Sequence, residues 1–156
     1  MRKRCNRMQR RVDPHAGLHA LSMQHPLDAR QRADLGVALR VNLETVRTGK
    51  APEQAFHTLA AAVNVSLILC ERDIGAEHIV AIKQAQAALL RLWQRGKSTG
   101  RWVFDGSGWQ DVSHAIDLHE AQLAHISRRE ASEAMREVMR RINRGDVFET
   151  QIGATQ

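Results

Sequence analysis

The chain has no tyrosine, and its only aromatic residues are three phenylalanines and three tryptophans. Strands draw on aromatic and β-branched residues, whereas this chain draws on 21 alanines and 14 leucines. That vocabulary speaks against a sheet-built domain and for packed helices. Cysteine is almost absent as well. Cys5 sits in a polar, basic start and Cys70 in the most apolar stretch. No disulfide framework is possible, and both read as thiols of a reducing compartment. The apolar runs read as too short and too alanine-rich to span a bilayer. No apolar h-region follows the basic start, so a secretory signal is not expected either. A cytoplasmic protein without a membrane partner is the expectation.

A further absence is local. The first eleven residues contain no acid, while Arg2, Lys3, Arg4, Arg7, Arg10 and Arg11 carry six positive charges. The formal net charge of the chain is also +6, so the remainder sums to zero. A neutral body with a cationic arm points to a polyanionic partner. Eleven extended residues reach at most about 36–40 Å, roughly one turn of duplex. Six phosphate contacts would give a salt slope near −5. That supports non-specific affinity but not sequence reading, which needs side chains held against base edges.

What is present organises into one domain. The 156 residues, with 43% hydrophobic and 26% charged, suit a single soluble core. Residues 1–13 are expected to be a disordered basic arm, 14–148 a helical domain and 149–156 a frayed tail. Asp13 and Pro14 look like a helix start leading to about Met23. The 3.6-residue pattern then predicts helix over 27–48 through Leu35, Leu39, Leu43 and Val46. It continues over 52–72, opened by Pro52, with Phe56, Leu59, Val63, Leu67 and Cys70 in a stripe. Between Leu59 and Cys70 this stretch is apolar nearly all round, as a central or interface helix would be. Ile79, Ile82, Gln86, Leu89 and Trp93 mark 76–94. After a glycine-rich break, Trp109, Val112, Ile116, His119, Leu123 and Ile126 form a seam over 105–127, with Asp105 as the N-cap. Ser127 and Glu130 make a capping box that opens a last helix with Ala131, Met135, Val138 and Ile142 inward. Short connections make neighbouring helices antiparallel. The fold class is all-α: an antiparallel bundle of four long helices plus a short N-terminal helix.

Motifs for catalysis fail on spacing. Gly96-Lys97-Ser98 resembles the end of a phosphate loop, but Arg91 stands where that loop needs its first glycine, and no strand precedes it. His119-Glu120 could begin a zinc-protease motif, yet Leu123 occupies the second histidine position. His114, His119 and His125 are five and six residues apart and fan around a helix, so a metal site is not expected. His119 reads as a core or interface histidine bonded to a neighbour. Cys70 would need a nearby cation or base to act as a nucleophile, and its flanks Leu67, Ile68 and Leu69 are apolar, so it reads as a buried structural thiol. No catalytic residue, metal or cofactor is expected, and the chain reads as a non-enzyme.

Binding features fare better. The stretch Arg95-Gly-Lys97-Ser-Thr-Gly-Arg101-Trp102 mixes three cations with an aromatic face, which suits single-stranded nucleic acid. The competing reading is that Trp102 and Trp109 fill the end of the bundle. Arg128, Arg129, Arg136, Arg140, Arg141 and Arg144 crowd the last helix against Glu130, Glu133 and Glu137. Arg129–Glu133 and Glu137–Arg141 have salt-bridge spacing, so this helix reads mainly as a solvated, salt-laced face.

From Arg47-Thr48-Gly49 through Glu71-Arg72-Asp73-Ile74-Gly75 to Thr99-Gly100-Arg101-Trp102, the chain resembles small helical accessory proteins of β-proteobacterial prophage- and plasmid-like regions. The resemblance covers most of the chain. It implies a mobile-element accessory role in a bacterial cytoplasm and brings no activity or site residue with it. The expected function is electrostatic binding of DNA or RNA by the arm, with the Arg95–Trp102 loop assisting. The alternative is a protein-directed inhibitor or adaptor of host machinery. The apolar second helix and the His119 seam would then serve a homodimer or a host-protein interface.

Overall fold

The computed structural model describes residues 16–146. The arm, Cys5, the Asp13–Pro14 helix start and the tail from 147 lie outside these described residues. Within them the fold is all-α. Its helices are α1 (Ala16–Ser22), α2 (Ala29–Arg47), α3 (Glu53–Cys70), α4 (Ile79–Thr99), α5 (Gly108–His125) and α6 (Arg128–Asn143), with a 3₁₀ turn at Ala76–His78 before α4. Four long helices is therefore an undercount. Each of the five stretches with helical periodicity becomes a helix of 16 to 21 residues.

Local chemistry accounts for most of the boundaries. Asp28 opens α2 with a capping box: its Oδ1 accepts from the Gln31 N–H at 2.8 Å, and Gln31 Oε1 accepts from the Asp28 N–H at 3.2 Å. Such a cap is worth about 1 kcal/mol. Gly49 turns the chain out of α2 at φ 70°, a conformation glycine adopts without steric cost. Pro52 precedes α3 in extended geometry, where its missing N–H costs nothing. Ser127 and Glu130 form the expected box at α6. The expected Asp105 cap is corrected. Ser107 holds the N-cap position of α5 without a side-chain bond, and the Asp105 carboxylate pairs with Arg91 Nε at 2.5 Å.

The core forms around α3, which touches α2, α4, α5, α6 and the 3₁₀ turn. Eleven of its residues are buried, including Leu59, Val63 and Leu69 at 0% exposure. By length and hydropathy alone this segment would suffice to cross a membrane, contrary to the expectation of apolar runs too short for that. Its apolar surface is instead covered by its neighbours. The main core joins α2 to α5 through Leu43, Val46, Ile82, Leu89, Val112 and Ile116. A second cluster seals one end, where Ala134 and Val138 of α6 meet Ile68, Leu69, Leu123 and Ile126.

Some inward assignments fail by one helix edge. Leu35 (44% exposed), Trp93 (40%), Met135 (41%) and Ile142 (43%) face solvent, while Leu92 and Ala134 are buried in their neighbourhood. Small residues let helix backbones approach closely. On α6 Ala134 accordingly takes the contact line, and Met135 and Ile142 fall at its edge.

Candidate functional site

The Arg95–Trp102 stretch loses most of its expected binding surface to the fold. Arg95–Thr99 is not loop but the last turn of α4. Trp102 is only 7% exposed, and its ring lies 5.4 Å from that of Phe56. It seats on Gly96, where a Cβ would stand 2.5 Å from Trp102 Cε3. Trp102 also bridges Ala51 in antiparallel pairing. No ring face is left for a base, so Trp102 is corrected from a stacking platform to a plug of the bundle end. An indole buries on the order of 200 Å², which favours the interior. Lys97 Nζ pairs with Glu53 Oε1 at 2.5 Å and stands 5.9 Å from the Trp102 ring centre. Arg95 Nη1 donates to the Val103 carbonyl at 3.0 Å. Arg101 alone of the three cations stays exposed and unbonded through its side chain among the described residues.

The segment that leads into α2 and the 95–102 stretch lie at opposite ends of that helix. Residues 1–15 join the described structure at Ala16, the first residue of α1. The segment after α1 docks on the start of α6: the Met23 carbonyl accepts from the Arg129 N–H at 2.9 Å and the His25 carbonyl from the Arg128 N–H at 3.0 Å. Asp28, at the N-terminus of α2, stands 3.8 Å from Arg128. Trp102, by contrast, packs at the other end of α2, beside Ala51. The 19 residues of α2 separate these ends by about 28 Å at 1.5 Å per residue.

A buried polar cluster occupies the α3–α5 contact. Ser66 Oγ and His119 Nδ1 are 2.9 Å apart, with Ser66 fully buried and His119 7% exposed. Burial pushes the imidazole down to about 4, so the ring is neutral at pH 7. Next to it, Gln122 Nε2 donates to the Ile74 carbonyl at 2.8 Å and to Cys70 Sγ at 3.3 Å. Cys70 Sγ in turn donates to the Gly75 carbonyl at 3.1 Å. Burial pushes the Cys70 thiol up, against the opposing effect of Gln122. A fully buried hydroxyl and a thiol disfavoured as thiolate make no nucleophile. The cluster instead ties α5 to the turn after α3. Position 119 was readable as a bonded core or interface histidine, and the fold makes it a core one; Ser66 and Gln122, ordinary polar residues 53 and 3 positions away, carry no signal that would pair them with it.

The same burial removes the expected apolar interface. The stripe of α3 and the His119 seam are interior to one chain, so neither is free for a second copy or a host protein. What apolar surface remains lies elsewhere. A cleft of about 380 Å³ between α2 and α5 is lined by Leu35, Leu39, Leu123, Arg32, Arg40 and Glu120. Arg40 Nη2 donates to Asp117 Oδ1 and Glu120 Oε2, both at 2.9 Å, and these bonds hold its guanidinium above its usual range, Glu120 contributing most. Gly36 lets that carboxylate lie against α2, since a Cβ there would stand 2.7 Å from Glu120 Oε1. Among the described residues no group of three or more His, Cys, Asp or Glu could hold a metal ion.

Compared with known protein families, curated proteins and solved structures, the chain matches none. The functional reading accordingly rests on charge and geometry.

Proposed function

We propose that the chain is a non-enzymatic mobile-element accessory protein of the bacterial cytoplasm. It holds the phosphate backbone of DNA or RNA through Arg2, Lys3, Arg4, Arg7, Arg10 and Arg11. The observation that carries this reading is charge segregation. Six cations without an acid precede a body whose 17 lysines and arginines in 16–146 face 15 acids. Nine of those body cations stand in ion pairs, from Arg40 with Asp117 and Glu120 to Arg141 with Glu71 and Glu137. Paired surface charges are worth little to a distant polyanion, whereas an unopposed run releases counterions on binding. The reading takes α2 to α5 as an antiparallel bundle, as their short connections favour, with α6 laid across one end.

The test is binding of duplex and single-stranded oligonucleotides at 50 and 200 mM salt, with and without residues 1–12. Full-length protein is expected to bind at 50 mM and to lose two to three decades of affinity at 200 mM, as about five released counterions require. Absence of binding at 50 mM, or an affinity that deletion leaves unchanged, refutes the reading.

A protein-directed adaptor, as a homodimer or on a host protein, is the second reading. It is favoured by Leu35, Val37 and Val41, 44%, 63% and 57% exposed on α2 beside the cleft. A stoichiometric protein that stays bound after nuclease treatment would support it over the first.

A further inference from the structure

We infer that the outer face of α6 is the body's share of the nucleic-acid interface, where Arg129, Arg136, Arg140 and Arg144 extend the cationic track of the basic segment. This rests on the proposed electrostatic binding and names the surface that the loop at 95–102 does not provide.

Spacing comes first. The four arginines are seven, four and four residues apart, which keeps them along one side of a helix. All four are exposed. They span about 22 Å at 1.5 Å per residue, the length of about six base-pair steps at 3.4 Å. The buried line of α6 runs through Ala134 and Val138, on a different side, so the track is not needed for packing.

Position comes second. The 16–22 helix that follows the basic segment is seven residues long, about 10 Å at the helical rise. The chain just beyond it donates no side chain to α6 but its carbonyls, at Met23 and His25, accept from the first N–H groups of that helix. The described chain therefore begins at Ala16, one seven-residue helix before the segment that bonds the start of α6, where the arginine track begins. The loop at Arg101 is at the opposite end of α2.

Availability comes third. Arg136 and Arg144 have no ion pair among the described residues. Arg129 is held by Glu133 at 3.4 Å and Arg140 by Glu137, with the arginine side chains 66% and 56% exposed. Exposed pairs of this kind are weak and screened by salt, so a phosphate can take the place of the carboxylate. Arg141 differs. It is turned toward α3, with Nη2 2.6 Å from Glu71 Oε2, and serves the fold.

The test measures log K against log salt for a 20-base-pair duplex and four proteins: full-length, lacking residues 1–12, Arg136→Gln/Arg144→Gln, and Arg95→Gln/Arg101→Gln. Removing two phosphate contacts is expected to reduce the magnitude of the salt slope by about 2 in the α6 variant only. A wild-type slope in the α6 variant, with binding lost on deletion of 1–12, overturns this inference and leaves the proposed function standing. An equal loss in both arginine pairs also overturns it, since net charge alone would then decide. Failure of the full-length protein to bind at 50 mM removes both. Circular dichroism and a thermal melt check that the variants keep their fold, above all at Arg95, whose bond to the Val103 carbonyl is lost in Arg95→Gln.

Discussion

His119 and Trp102 show how single residues are reassigned by what packs around them. The imidazole, buried against Ser66 and pushed down to about 4, titrates near 6.5 in the unfolded chain. Between these values the unfolded state binds the proton and the folded state does not, so stability falls as the pH falls. The loss begins near pH 6.5, is complete below about 4, and amounts to about 3 kcal/mol. Urea unfolding from pH 7 to 4 should show this slope in the wild type and a flatter one in His119→Leu. Parallel curves would show that His119 does not titrate across folding. Gly96 gives a second residue-scale expectation. In an ordinary helix interior Gly→Ala gains about 1 kcal/mol, but here the new Cβ meets the Trp102 ring. Gly96→Ala is therefore expected to destabilise by about 1–3 kcal/mol. In a Trp102→Ala background the same change should become neutral or stabilising. Additivity of the two substitutions in denaturant melts would contradict the seating of the ring on Gly96.

At the scale of elements, α6 carries the most consequence for its size. It packs mainly on α3 through alanine and valine, and its start is organised by two devices at once. Ser127 accepts from the Glu130 N–H at 3.2 Å while Glu130 Oε2 accepts from the Ser127 N–H at 2.7 Å. The first N–H groups of the helix meanwhile bond the Met23 and His25 carbonyls. Ser127→Ala should cost about 1 kcal/mol and raise amide exchange first in the opening turn of α6. Uniform exchange across all helices would show instead that α6 opens only with the whole fold. The capping box was readable from Ser127 and Glu130 alone. Of the inward face, Ala131 and Val138 were readable too; Met135 and Ile142 were not, because a broad apolar arc running from Ala134 to Met139 leaves open which edge meets α3. Backbone approach chose the small residues. The α4 boundary failed for a related reason: Gly96 reads as a breaker in isolation, and only the indole on top of it explains a glycine inside the helix.

At the scale of the whole molecule, the charge excess lies in the first eleven residues, and among the described residues the buried members of both core clusters lie between Leu39 and Val138. Deleting residues 1–12 is therefore expected to leave the thermal midpoint in 150 mM salt within about 3 °C, the equivalent of roughly 1 kcal/mol for a chain of this size. A larger fall in calorimetry would show that the segment supports the fold as well as binding.

Composition and periodicity by themselves determined that the chain is helical, that the stretch over 52–72 and His119 are buried in the fold or in an interface, and that positive charge is concentrated in the first eleven residues. Each follows from local chemistry: helix propensity, a 3.6-residue pattern, and the count of charges along the chain. Which cations remain available was decided only in three dimensions. Pairing partners such as Glu53 for Lys97 and Glu71 for Arg141 lie 44 and 70 positions away, and nothing in local spacing connects them. The end of the body that the basic segment joins was likewise set by tertiary contact, through backbone carbonyls that carry no side-chain signature. The proposed pairing of the cationic run with the arginines of α6 rests on that contact.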